Sequence, residues 1–158
     1  MPKGSTKLTP AAELGLNYDF EESVGYWLVL ASQAFQKALG DELQPHGITF
    51  RQCQVLGWLV LEGELSQGEL ATRMMIEPAT LAGVLDRMER ESLVLRRSTV
   101  DDRRRKLVRV SAGAKRVWEQ AIVCARSVRE RAAHGMTPAE VEALKGMLRK
   151  VVGNLAEA

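Results

Sequence analysis

The chain has 158 residues, of which 46 % are hydrophobic and 27 % charged, a balance that fits one globular domain or one subunit of a small assembly. Its formal net charge is only +2, and its two cysteines, Cys53 and Cys124, have neither disulfide-framework nor metal-site spacing. The N-terminus has no secretory h-region, and no apolar run approaches the roughly 20 residues that cross a bilayer, so a cytoplasmic protein with no membrane partner is expected.

Residues 1–17 mix Pro, Gly, Ser, Thr and Lys without periodicity and read as a mobile arm. Asp19 with Glu22 has the spacing of a capping box, and Val24, Trp27, Leu28, Ala31, Phe35 and Ala38 follow at helical intervals up to a stop before Pro45. Thr49 is placed to cap a second helix, "FRQCQVLGWLVLEG", with Cys53, Leu56 and Val60 as its stripe and Gly63 as its end. Ser66 and Glu69 form another capping box, before the short segment "QGELATRM". Pro78 suits the first turn of "EPATLAGVLDRMERES", whose inner stripe is Leu81, Val84, Leu85 and Met88.

"LVLRR" and "KLVRV" then alternate with the period of a half-exposed strand, and Ser98 to Arg105 form the tip of the hairpin between them. Ser111 is expected to cap a long helix carrying Val117, Trp118, Ala121, Ala125 and Val128, ending near His134-Gly135. Thr137, Pro138 and Glu140 open a last helix with Leu144, Met147, Leu148 and Val151 on one face. A short helix, a turn and a second helix followed by a hairpin make a winged helix-turn-helix. The expected fold is therefore mainly α with a small β-wing, flanked by helices at both ends.

A helix-turn-helix lays its second helix in the major groove, so that helix must bury one face and show the other. The face left outside carries Thr80, Gly83, Arg87 and Arg90, with Ala79, Ala82 and Asp86 alongside. Gly83 and Ala82 let the backbone approach DNA closely. Thr80 can bond a base or touch a thymine methyl, and Arg87 can bond guanine or phosphate. On the helix alone, a solvated face would be the better reading. The hairpin reverses that: Arg96 to Val110 holds seven cationic and two acidic side chains, a net +5, so the remaining residues sum to −3. Concentrated positive charge is the footprint of a polyanion. Arginines at a hairpin tip suit the negative potential of a narrow minor groove, and Asp102 is placed to orient Arg104 through a paired contact.

The segment "LSQGELATRMMIEPATLAGVLDRMERESLVLRRSTVDDRRRKLVRVS" resembles the DNA-binding core of the MarR family of bacterial transcription regulators, closest to its SlyA-like branch. The family's wing reads Asp-x-Arg, five residues, then Leu-Thr-x-x-Gly. Asp102 and Arg104 fall on the first two positions, and Val110-Ser111 replace Leu-Thr. Ala114 takes the place of the family's glycine, with Gly113 one position early, and Ser92 stands where a glycine usually ends the reading helix. A serine there must adopt a left-handed conformation, or the helix ends differently.

The resemblance implies a homodimer that binds double-stranded DNA at a pseudo-palindromic operator, more often a repressor than an activator. With the residue reading, it assigns DNA contact to Ser66, Gln67, Pro78, Ala79, Thr80, Gly83, Arg87, Arg97, Asp102, Arg103, Arg104 and Arg105. It assigns dimerisation to Phe20, Val24, Trp27, Leu144, Leu148, Val151 and Val152, which intrachain packing would explain equally well. Family members often bind small aromatic or phenolic effectors, and Trp27, Ala31, Phe35, His46, Arg51 and Cys53 are the candidate lining, although Trp27 and Phe35 also sit on a core stripe.

The implied organisation is an arm at 1–17, a dimerisation helix within 18–48, the winged helix-turn-helix at 49–110 and C-terminal dimerisation helices at 111–158. No cofactor, metal site or catalytic constellation is expected, and the chain is not read as an enzyme. Two other readings stay open: an architectural DNA binder with little sequence preference, and a redox-responsive regulator. Both thiols, set among apolar residues, read as inert core.

Overall fold

Helix α1 spans Val24–Leu43 and gives way to a 3₁₀ turn, Gln44–His46, in which Pro45 cannot donate the next helical hydrogen bond. The structure is a computed structural model, and it describes residues 14–15, 18–98 and 106–156. The expected mobile arm and the wing tip, with Asp102, Arg103, Arg104 and Arg105, fall mainly or wholly outside the described residues.

The chain divides into two units at residues 34 and 35, within α1. In the first, Tyr18, Phe20, Tyr26 and Trp27 form a run of ring contacts, with centroids 4.7, 5.9 and 5.4 Å apart in turn. The Trp27 indole N–H donates to the Glu21 carbonyl at 2.8 Å. The Glu22 amide does reach the Asp19 carboxylate, at 3.4 Å, but residues 20–22 form a bend and a turn. The sequence expectation of a helix starting at Asp19 is thus corrected to Val24. Trp27 is 56 % exposed, so the stripe predicted to enter the chain's own core does not do so there.

The second unit opens with the rest of α1 and holds the remaining elements. Helix α2, Phe50–Glu62, begins at Thr49 in a full capping box with Gln52 and ends at Gly63, whose φ of 86° a side chain would strain. Its stripe is turned relative to the expected one. Gln52, Val55, Leu56 and Leu59 are buried, whereas Cys53 is half-buried and Val60 exposed. The register of one 3.6-residue period over 13 residues was misjudged because "VLGWLVL" is apolar almost all round.

Strand β1, Leu65–Ser66, leads into α3, Gln67–Met74, and α4, Pro78–Arg90, follows. Strands β2, Val94–Ser98, and β3, Lys106–Val110, pair with Arg96 opposite Val108. Leu65 and Ser66 pair with Val108 and Leu107, so the expected hairpin is a three-stranded antiparallel sheet in the order β1-β3-β2. A two-residue strand leaves no periodic signature, which is why it escaped the sequence.

One core closes this lobe. Leu56, Leu70, Leu81, Leu85, Met88, Val94 and Val108 are fully buried in it, each contributing about 1.5–3 kcal/mol. After β3, Ser111 caps a 3₁₀ turn, Ala112–Ala114, rather than a helix, and α5 runs over Lys115–Ala132. A second core joins Leu39 and Leu43 of α1 to Ile48 and to Ala121, Cys124 and Val128 of α5. Gly135, at φ 81°, lies in the turn after α5. Thr137 and Glu140 exchange the expected capping hydrogen bonds at the start of α6, Pro138–Ala156. No residue of α6 is buried.

Among the described residues, two non-glycine residues have left-handed backbones, Met75 and Ser92, a conformation that costs an L-residue about 1–2 kcal/mol. Ser92 closes α4 as the sequence comparison anticipated, and its carbonyl accepts the Ser111 hydroxyl. A Cβ on Gly113 would lie 2.5 Å from that same carbonyl, while Ala114 is fully buried. The two departures from the expected pattern therefore meet in space. The early glycine makes room for the Ser92 backbone, and the alanine fills the core.

Candidate nucleic-acid interface

Helix α4 has the two faces a groove-reading helix needs. Leu81, Leu85 and Met88 are fully buried, and Ala79, Thr80, Gly83, Asp86, Arg87 and Arg90 are exposed. A Cβ at Gly83 would meet nothing within 4 Å, so the fold itself does not require the glycine. Its absence of side chain leaves an open strip of backbone between Thr80 and Arg87. These three line a cavity of about 260 Å³ with Thr49, Gln52 and Val84.

Several contacts hold this helix in place. Gln52 is buried at 4 % exposure and accepts from the Thr49 amide at 2.9 Å, while its amide nitrogen donates to Glu91 at 2.6 Å. This joins the start of α2 to the residue that ends α4. Arg96 of β2 reaches back to Asp86 at 2.6 Å and to Glu89 at 2.9 Å. Its side chain is only 15 % exposed, and its hydrogen bond holds the Glu89 carboxyl below the usual glutamate range. Arg97 makes a two-pronged contact with Glu64, at 2.6 and 3.0 Å, which lowers the Glu64 carboxyl likewise. Among the described residues of the basic stretch, Arg96 and Arg97 are thus paired within the fold.

The sequence reading missed Gln52, Glu64, Glu89 and Glu91 as supports of the interface. For Glu89, a signal existed: with Asp86 it presents two carboxylates one turn apart on the outer face, a fork that needs an arginine. For Glu64, 33 residues from Arg97, and Gln52, 39 from Glu91, there was none.

The comparisons with known proteins meet on this lobe. Residues 46–105 match the sequence pattern of the MarR family. The transcriptional repressor NicR of Pseudomonas putida is 28 % identical over 150 residues, covering 94 % of this chain and 95 % of NicR. The lobe at residues 46–105 is of the MarR family. Bordetella bronchiseptica BpsR, a protein whose DNA binding is regulated by 6-hydroxynicotinic acid, superposes with a TM-score of 0.75 at 27 % identity, over 86 % of this chain and 97 % of BpsR. A mutant Escherichia coli MarR complexed with operator DNA gives a TM-score of 0.74 at 25 % identity, over 85 % and 99 %. The chain has the mainly helical fold with a small antiparallel sheet expected of it.

The other expected site residues take varied positions. Pro78 opens α4, and both it and Ala79 are exposed. Gln67 is half-buried. Ser66 is largely buried, and its hydroxyl accepts the Glu69 amide at 3.2 Å as the cap of α3. Of the effector candidates, Trp27 and Ala31 belong to the first unit and Phe35, His46, Arg51 and Cys53 to the second. Phe35 is 37 % exposed, His46 lies exposed in the 3₁₀ turn, and Arg51 donates to Gln54 at 2.9 Å. The cavity that α2 helps to line takes Thr49 and Gln52, not these residues.

Cys124 is buried and donates to the Glu42 carbonyl at 3.4 Å, and Cys53 packs against the same core. Burial pushes both thiols above the ordinary range, and the neighbouring Cys124 raises Cys53 further. No cluster of metal-ligating side chains occurs among the described residues, and no helix there is long and apolar enough to cross a membrane.

Proposed function

We propose that this MarR-family regulator is a homodimeric, sequence-specific repressor whose two reading helices enter successive major grooves of a pseudo-palindromic operator. The observation that carries the reading is the face of α4: Thr80, Gly83 and Arg87 are exposed together, on a helix clamped by Arg96 from the wing and Gln52 from α2. A rigid helix loses little conformational freedom when it binds, so base contacts act at full strength. Pro78 and Ala79 meet the groove at the helix start, with Ser66 and Gln67 beside the backbone. Arg97 and the tip residues Asp102, Arg103, Arg104 and Arg105 serve the adjacent minor groove.

The apolar stripe of α6 supports the dimer. Leu144, Met147, Leu148 and Val152 are 39, 59, 41 and 67 % exposed on a helix with no buried residue. An apolar stripe of that length needs a cover, and a second copy with the same stripe supplies one. Phe20, Val24 and Trp27, between 56 and 65 % exposed, are the dimerisation candidates of the first unit. BpsR responds to a hydroxylated aromatic acid. By analogy, a small aromatic acid is the effector class that releases this chain from DNA, by favouring a dimer whose half-site spacing no longer fits.

The test is a salt-dependent titration against the DNA upstream of the protein's own coding region and a scrambled duplex of equal length. A gap of about a thousandfold or more is expected. Equal, steeply salt-dependent binding to both would leave an architectural DNA binder instead.

A further inference from the structure

The turn between α3 and α4 breaks two local rules in three residues. Met75 ends α3 in the left-handed conformation, φ 50° and ψ 47°, with the Ile76 amide bonded to the Ala71 carbonyl. This is the position where glycine normally relieves the strain. Met75 gains nothing from burial in exchange, being 92 % exposed. Glu77 occupies the N-cap of α4, where Ser, Thr, Asp or Asn would satisfy a free amide, and it makes no side-chain cap hydrogen bond. Among the described residues no ion-pair partner of Glu77 is found, although the exposed carboxylates Asp86, Glu89 and Glu62 all have one. Met75 and Glu77 line one open groove of about 400 Å³ with Gly68, Thr72 and Pro78. The groove lies between the start of α3 and the start of α4, the two segments assigned to DNA. Residues that strain or fail to cap the fold, gathered at one exposed place, are placed there for a contact outside it.

We propose that Glu77 and Met75 form a base-reading element of the operator interface, in which the Glu77 carboxylate accepts a hydrogen bond from an exocyclic amino group in the major groove. Only cytosine N4 and adenine N6 donate there, so the contact excludes guanine and thymine at that position. The Met75 side chain lies against the neighbouring thymine methyl or sugar edge. A carboxylate among phosphates repels every duplex equally and is compensated only on the matching base. It thereby lowers affinity for random DNA while keeping the operator bound, a form of specificity by exclusion.

This rests on the proposed function, and the experiment separates the two. Wild type, Glu77→Gln, Met75→Gly and Thr80→Ala would each select from a randomised duplex library and then be titrated on the wild-type consensus and a scrambled duplex. Glu77→Gln is expected to bind scrambled DNA about fivefold more tightly and to lose discrimination at one symmetric position by about tenfold. Met75→Gly is expected to melt at a higher temperature yet bind the consensus about fivefold more weakly. If Glu77→Gln keeps every base preference while Thr80→Ala alters one, the element proposed here is wrong and the helix reading stands. If Met75→Gly binds the consensus as tightly as wild type, Met75 has no part in it. If wild type selects no consensus, both readings fall.

Discussion

Helices α4 and α6 are both amphipathic, and their apolar stripes meet opposite fates. In α4, Leu81, Leu85 and Met88 are wholly buried beneath α2, α3 and the sheet. In α6, no residue is buried and Leu144 and Leu148 remain about 40 % exposed. The difference is one of partners, not of sequence pattern. The DNA-reading lobe closes its own core within one chain, so the outer face of α4 is free to read. The terminal helix displays a stripe that one chain leaves uncovered, and the proposed dimer would supply the missing half. Under the proposed function, reading and assembly fall to different helices, and each is open to perturbation without the other.

The sharpest way to break this comparison is to truncate matched leucines. Leu85→Ala should cost about 2–5 kcal/mol and abolish operator binding with the fold. Leu148→Ala should cost about 1 kcal/mol or less in an isolated subunit. Equal losses in urea denaturation at low protein concentration would mean that α6 is core after all. Next in size is assembly itself. The pair Leu144→Glu with Leu148→Glu should sediment as a folded monomer and bind operator more than about a hundredfold more weakly, because the second half-site is no longer tethered to the first. A dimer of unchanged affinity would move the interface elsewhere.

A third pair sharpens the account of the reading lobe. Gly113→Ala drives a Cβ into the Ser92 carbonyl and should cost about 1–3 kcal/mol, whereas Ser92→Gly should stabilise by about 0.5–1 kcal/mol. Thermal melting of both variants checks the sign. The smallest effect concerns pH. Arg97 and Arg96 hold Glu64 and Glu89 below the usual carboxylate range. A carboxylate with a lowered value stabilises the fold fully above the ordinary glutamate range and loses that contribution as pH falls through its lowered one. Stability should therefore decline on acidification, and Glu64→Gln should flatten the decline. Both groups are solvated, so the change in urea midpoint will be modest and will shrink further in salt.

Much of the lobe was legible because its local chemistry is consistent. The Thr49, Ser66 and Thr137 caps, Pro78 at the start of α4 and the alternation of "LVLRR" and "KLVRV" each state a boundary in a few residues. The start of α1 was misread because the Asp19–Glu22 contact serves a turn as well as a helix. The outer face of α4 was legible too, since burying Leu81, Leu85 and Met88 turns Thr80, Gly83 and Arg87 outward by helix geometry alone. Its supports were not.

Local propensity and periodicity thus determined the order of the elements, the two-faced reading helix and the concentration of positive charge on the wing, because these depend on neighbours within a few residues. Tertiary structure decided the rest: the pairing of Leu65 with Val108, the hold of Glu64 on Arg97 and of Gln52 on Glu91, and the meeting of Ser92 with Gly113. Each joins residues 21 to 43 positions apart. Hydrogen bonds and close packing act over a few ångströms, so their partners exist only once the chain has brought distant segments together.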